Sequence, residues 1–197
     1  MFQTIKQKEQ WHLVVAFLIG VSSLLSANAK VLADQGKLKP TDATLFVRSK
    51  VDGNNVQNLL QGKTSQEIGV TNFDGQILNS DRYFVISAVT INYGTGLVAA
   101  LPSAINYTTA LPAALKNANL VIMQDNEVIV KLPVTDINDA KSTDARYRVL
   151  DAFALLRDQK TITMNLEFPA GGDLGAGAGN AGFVEVQLKG FETYIKR

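Results

Sequence analysis

Tyr83-Phe84-Val85-Ile86-Ser87-Ala88-Val89-Thr90-Ile91-Asn92-Tyr93 contains neither glycine nor proline and is dominated by β-branched and aromatic side chains. Such a run suits a pleated, half-buried surface, and the spacing predicts a strand. Working outward, the same period of two begins at Thr44, where Leu45 and Val47 alternate with Phe46 and Arg48, and continues in the short pair Ile68 and Val70. Further β-rich runs are Leu120 to Met123, Val128 to Leu132, Tyr147 to Leu156, Thr161 to Phe168 and Phe183 to Leu188, separated by turn residues. Asp125-Asn126 between Val121-Ile122-Met123 and Val128-Ile129-Val130 reads as a tight hairpin. Tyr147 to Arg157 is ambiguous, because Val149, Leu150, Phe153, Ala154 and Leu156 would also line a helix. Leu97 to Lys116, with Pro102 and Pro112, reads as a long connection carrying a short helix between Pro112 and Asn117.

About eight antiparallel strands imply an all-β, two-sheet sandwich. An immunoglobulin domain expects a core tryptophan and a cysteine pair. The one tryptophan, Trp11, lies outside the predicted strands and cysteine is absent, so a jelly roll is the expected arrangement.

Ahead of the strands the composition changes sharply. Lys6 and Lys8 precede a run from Trp11 to Ala29 without a charged residue, in which Leu13, Val14, Val15, Phe17, Leu18, Ile19, Val21, Leu24 and Leu25 cluster. These nine are the candidate membrane or subunit contacts. Three readings fit. Ala27-Asn28-Ala29 has the A-x-A form of a signal-peptide cleavage site after a basic and then an apolar region. The run is also close to the ~20 residues that span a bilayer. Finally, it suits a helix buried against the same protein or a neighbour. A linker at Gly36-Lys37-Leu38-Lys39-Pro40-Thr41-Asp42 follows, which divides the chain into a hydrophobic segment, 1–36, and one β domain, 37–197.

Composition narrows the function. The 19 basic and 18 acidic residues are interspersed and leave a net charge of +1, so no basic surface gathers nucleic acid and direct sequence-specific binding is not expected. Serine and cysteine hydrolases need a nucleophile beside a base, and the single histidine, His12, belongs to the apolar segment. One histidine and no cysteine also make a zinc site unexpected. Asp136-Ile137-Asn138-Asp139, with Asp144 nearby, fails the calcium-loop pattern, whose sixth and twelfth positions here are Lys141 and Tyr147; a solvated loop is expected. Gly177-Ala178-Gly179-Asn180-Ala181-Gly182 spells a dinucleotide fingerprint, but β-forming Phe183 to Leu188 follows it where the fingerprint needs a helix. It reads as a flexible loop between strands. A pair of carboxylates for glycoside hydrolysis stays open, since no pair stands out. No catalytic residue, cofactor or metal is therefore expected.

Thr161-Ile-Thr-Met-Asn-Leu-Glu-Phe-Pro169, then Phe183-Val-Glu-Val-Gln-Leu-Lys-Gly-Phe191 and a basic tail at Lys196-Arg197, resemble the closing strands of jelly-roll coat proteins. Thr71-Asn-Phe-Asp-Gly75 with Asn79-Ser-Asp-Arg-Tyr-Phe-Val-Ile-Ser-Ala-Val-Thr-Ile91 is similar to the opening strand of the barrel in virion proteins of tailless icosahedral bacteriophages. The resemblance implies a capsid subunit that associates with copies of itself and with other virion proteins. For phages with an internal membrane, it gives the apolar segment a lipid to touch. Major coat proteins of that lineage usually fuse two jelly rolls, so this length suits a single-barrel major, vertex or minor subunit. The competing expectation is an exported β-sandwich at the cell surface, an adhesin or carbohydrate-binding module freed of residues 1–29, in which Tyr93 and Tyr107 would stack on sugars if exposed, although a tyrosine in a strand is more often half-buried core.

Overall fold

The computed structural model describes residues 5–35, 37, 40–141 and 145–194. Gly36, Leu38 and Lys39 of the predicted linker, Asp144 and the basic tail Lys196-Arg197 lie outside the described residues. The described strands are β1 (Pro40–Val51), β2 (Val56–Asn58), β3 (Arg82–Leu97), β4 (Asn119–Gln124), β5 (Glu127–Pro133), β6 (Arg148–Leu156), β7 (Ile162–Glu167) and β8 (Asn180–Tyr194). They form two four-stranded antiparallel sheets of order β1-β8-β3-β6 and β2-β7-β4-β5. The alternation seen in the sequence aims one set of side chains between the sheets. Leu45, Val47, Ile91, Val184, Val186 and Leu188 from the first sheet share one buried cluster with Leu120, Ile122, Ile162, Met164 and Leu166 from the second.

β3 departs from simple alternation, and that departure organises the whole outer face. Phe84 and Ile86 point into the core, and so do Val89, Ile91 and Tyr93, which a strict period of two does not allow. A bulge at Ser87, between Ile86 and Ala88 in the pairings with both β6 and β8, supplies the extra residue. Without it, Thr90 and Asn92 would turn inward. Gly190 of β8 sits opposite, where an added Cβ would fall 1.9 Å from the Val85 carbonyl oxygen, so only glycine fits the close approach.

Helices accompany the strands. α1 (Ile5–Gly20) leads through a short 3-10 turn, Ser22–Leu24, into α2 (Ala27–Asp34); α3 (Ala113–Lys116) and α4 (Val134–Asp139) follow later. The predicted short helix after Pro112 is α3, and its Leu115 is fully buried.

Several expectations need correction. Pro40, Thr41 and Asp42 belong to β1 and not to the linker, because β1 is an edge strand and a proline at its first position loses no ladder hydrogen bond. Ile68 and Val70 form no strand: Gly69 has φ +79°, Ile68 is fully exposed, and only isolated bridges occur at Glu67, Thr71 and Val47. β2, short and polar, escaped the periodicity, so the count of eight agrees through two compensating errors. The acidic stretch Asp136–Asp139 is no solvated loop but part of α4, which buries Val134 and Ile137. Tyr147–Leu156 resolves as strand β6 from Arg148 onward. The Asp125-Asn126 hairpin forms as expected, with φ of 50° and 65°, the left-handed pair of a type I′ turn.

Candidate contact surfaces and a buried polar cluster

The bulge divides the outer face of the β1-β8-β3-β6 sheet in two. On one side Tyr83 and Val85 of β3, Phe153 and Leu155 of β6 and Phe191 of β8 make an apolar patch. α1 and α2 lie across it, burying Val14, Leu18, Leu25, Ala29 and Ala33, with Phe17 and Val21 packed alongside. The Phe17 and Phe153 rings meet at 5.7 Å in a tilted pair. A polar clasp fixes the entry to α2. The Ser26 backbone N–H donates to the Tyr83 hydroxyl oxygen at 2.8 Å, and the Ser26 hydroxyl donates to Asp81 at 3.1 Å. The same Ser26 oxygen accepts from the Ala29 N–H at 3.3 Å as N-cap. Asp81, at φ +63°, donates its own N–H to Asp158 at 2.8 Å.

The nine sequence-predicted contact residues are thereby split. Val14, Leu18 and Leu25 face the chain's own sheet; Val15, Phe17 and Val21 are half-buried; Leu13, Ile19 and Leu24 are exposed at 59%, 45% and 49%. With Val31 at 52%, those three are the large apolar side chains that α1, the 3-10 turn and α2 leave exposed. Among the described residues no helix is long and apolar enough to cross a membrane. Ala27 and Ala29 of the A-x-A pattern lie within α2, and Ala29 is fully buried.

On the other side of the bulge the outward positions are Phe46 and Arg48 of β1, Glu185 and Gln187 of β8, and Thr90 and Asn92 of β3. Glu185 is 4% exposed and carries several contacts. Its Oε1 accepts from Arg48 Nε at 2.8 Å and pairs with Nη2 at 2.7 Å; its Oε2 accepts from Asn92 Nδ2 at 2.8 Å. Lys141, two residues past α4, donates from Nζ to Asn92 Oδ1 at 3.1 Å and to the Ile91 carbonyl. Tyr107 lies with its ring centroid 5.2 Å from the Arg48 guanidinium carbon, and its hydroxyl donates to the Pro102 carbonyl at 2.7 Å. Tyr147 donates to Gln187 at 2.6 Å. Burial, opposed by Glu185, pulls the Lys141 amine below its ordinary range. Burial pushes the Tyr107 and Tyr147 phenols up.

Sequence reasoning passed over Arg48, Asn92, Lys141 and Glu185. For Arg48, Asn92 and Glu185 the only signal was charge or amide at outward strand positions, which normally meet solvent; Lys141 lies off the strands, two residues past α4. What buries them is the long connection through Tyr107 and the segment after α4, neither of which the strand pattern locates. Tyr93, a sugar-stacking ring only under the exported-module reading and otherwise expected in the core, is a core residue, and its hydroxyl donates to the Leu174 carbonyl at 2.9 Å. The glycine-rich loop before β8 lines an open cleft of about 770 Å³ with Lys50, Asp52, Gln57 and Asp173. The expected loop ends sooner than the 177–182 motif, because Asn180, Ala181 and Gly182 already belong to β8; strand and not helix closes it. Among the described residues no group of three or more His, Asp or Glu side chains could hold a metal ion. No family model matches the chain, and neither does any curated protein or solved structure.

Proposed function

We propose that the two sheets form a jelly roll and that the chain is a structural virion subunit, assembling with copies of itself and with other virion proteins. The strand pairing carries this reading. β1 pairs β8, β2 pairs β7 and β4 pairs β5, while β6 pairs β3. That is the pattern of one long hairpin, β1 to β4 laid against β5 to β8. Rolling that hairpin adds the contacts β3 with β8 and β4 with β7, which complete the two observed sheets. Two interlocked Greek keys of this kind recur in capsid and lectin domains. In this reading the work of the chain is burial of surface between subunits. The exposed apolar side chains Leu13, Ile19 and Leu24 of the helix pair supply a contact for a neighbouring subunit or an internal viral membrane. Leu97 at the end of β3, with Val98 and Leu101 in the connection after it, supplies a second, the three being 68%, 52% and 66% exposed.

Sedimentation of the purified full-length chain over a range of concentrations, with electron microscopy of the heavy fraction, tests it. Regular oligomers or closed shells are expected. A chain that stays monomeric at high concentration with its N-terminus intact refutes the proposal.

A further inference from the structure

Lys141, Asn92 and Glu185 are arranged for more than hydrogen bonding. A contact of 3.1 Å from Lys141 Nζ to Asn92 Oδ1 leaves Nζ no farther than about 4.3 Å from the amide carbon, the C=O bond being about 1.2 Å. The other end of the same amide, its leaving nitrogen, donates to Glu185 Oε2 at 2.8 Å. Nucleophile, carbonyl and proton carrier thus stand in sequence on one half-buried amide. Arg48 holds Glu185 through Oε1 alone, which keeps Oε2 on the amide.

We propose that Lys141 and Asn92 join in an intramolecular isopeptide bond, Nζ to Cγ, with Glu185 carrying the proton and ammonia leaving. The neutral Lys141 amine attacks Cγ; the new C–N bond forms as the carbonyl π pair moves onto Oδ1. Glu185 takes a proton from the attacking nitrogen and passes it to Nδ2. The carbonyl re-forms, the Cγ–Nδ2 bond breaks, and Nδ2 departs as ammonia. One amine and one primary amide yield one secondary amide and ammonia, with no oxidant or other reactant. Holding the groups in reach makes the step effectively unimolecular.

The surroundings favour it. The lowered proton affinity of Lys141 raises the fraction of neutral amine. The charged or titratable groups around the site are Arg48, Glu185, Tyr107 and Tyr147, with Lys189, Arg146 and Asp42 near Tyr147. The bond would tie β3 to the segment behind α4 across 49 positions of sequence, in a chain that has no cysteine and hence no disulfide.

The test is peptide mapping by mass spectrometry of the full-length protein after folding and storage in mildly alkaline buffer. One branched tryptic species is expected, holding Asn92 and Lys141, uncut after Lys141 and lighter by one ammonia than its two parts. Lys141→Arg should abolish it, and Glu185→Gln should slow its appearance on the order of a hundredfold, with circular dichroism reporting whether each variant folds. The wild-type map is decisive by itself. Two separate peptides, cleaved after Lys141 and at full mass from a folded protein, overturn the proposal. Wild-type rates in a folded Glu185→Gln variant overturn the role of Glu185.

Discussion

The two halves of the β1-β8-β3-β6 outer face are built by neighbouring stretches of the same strands, yet one is apolar and capped by helices while the other is polar and paired internally. The bulge at Ser87 sets the difference: before it Tyr83 and Val85 face outward, after it Thr90 and Asn92 do. The apolar half cannot be left in water and draws a cover from the N-terminal helices. The polar half, once enclosed, must satisfy itself: Arg48 and Asn92 do that for Glu185, and Lys141 does it for the Asn92 carbonyl oxygen. A shift of one residue in strand phase thus determines which segment of chain is needed above each half.

The largest effect is expected from disturbing the dividing line. Gly190→Ala places a Cβ against the Val85 carbonyl, and the β3–β8 ladder must separate there. A loss of about 4 kcal/mol or more is expected in denaturant unfolding, the range reserved for a broken close approach. A loss under about 1 kcal/mol would show that the bulge does not fix the phase.

Leu18→Ala addresses the capped half. Leu18 is fully buried between α1 and the sheet, so the expected cost is about 3 kcal/mol. A fall of that size in global stability means lid and sandwich unfold together. An unchanged unfolding midpoint, with faster amide exchange confined to α1 and α2, would instead separate the lid from the fold.

Arg48→Met addresses the paired half. It removes the counter-charge of Glu185, whose side chain is 6% exposed, and leaves the carboxylate with the neutral Asn92 amide beside a shape-matched neutral chain. A fully buried pair would cost about 3–5 kcal/mol; the Arg48 side chain is 26% exposed, so about 2 kcal/mol is expected from thermal or denaturant unfolding. No loss would mean that water already reaches Glu185.

The sequence made the alternation of β1, β3 and β8, the I′ hairpin and the apolar N-terminal run legible, because each is a local pattern with a local cause. It did not reveal the bulge, since Ser87-Ala88 reads as two more residues of a continuous strand. It hid the polar cluster for a related reason: Asn92 and Glu185 look like solvent-facing positions until Tyr107 and Lys141, distant in sequence, arrive above them. β2 was missed because three polar-flanked residues hold too little periodicity to register. Ile68–Val70 was over-read because two β-branched residues around a glycine imitate a strand.

The smallest expected effect is also the one that separates the two halves most cleanly. Tyr83 joins the apolar patch to the Ser26 clasp, and Tyr83→Phe keeps the ring while removing the oxygen that accepts from the Ser26 N–H; about 1 kcal/mol should be lost. Burial raises the Tyr83 phenol above its ordinary value of 10.0; hydrogen bonds from Ser26 oppose the rise and Asp158 adds to it. A phenol raised in the folded state favours the folded chain while it is neutral. Its contribution is therefore complete below pH 10 and is lost as pH climbs through the raised value. Charging it beside Asp81 and Asp158 should release α2 first, and amide exchange of Ala29 and Lys30 should accelerate above that pH. In Tyr83→Phe this acceleration should be absent while the polar half, whose Tyr107 and Tyr147 are unaltered, keeps its own alkaline transition. Equal alkaline loosening of α2 in both proteins would show that the lid is held by its apolar contacts alone, with the clasp contributing nothing.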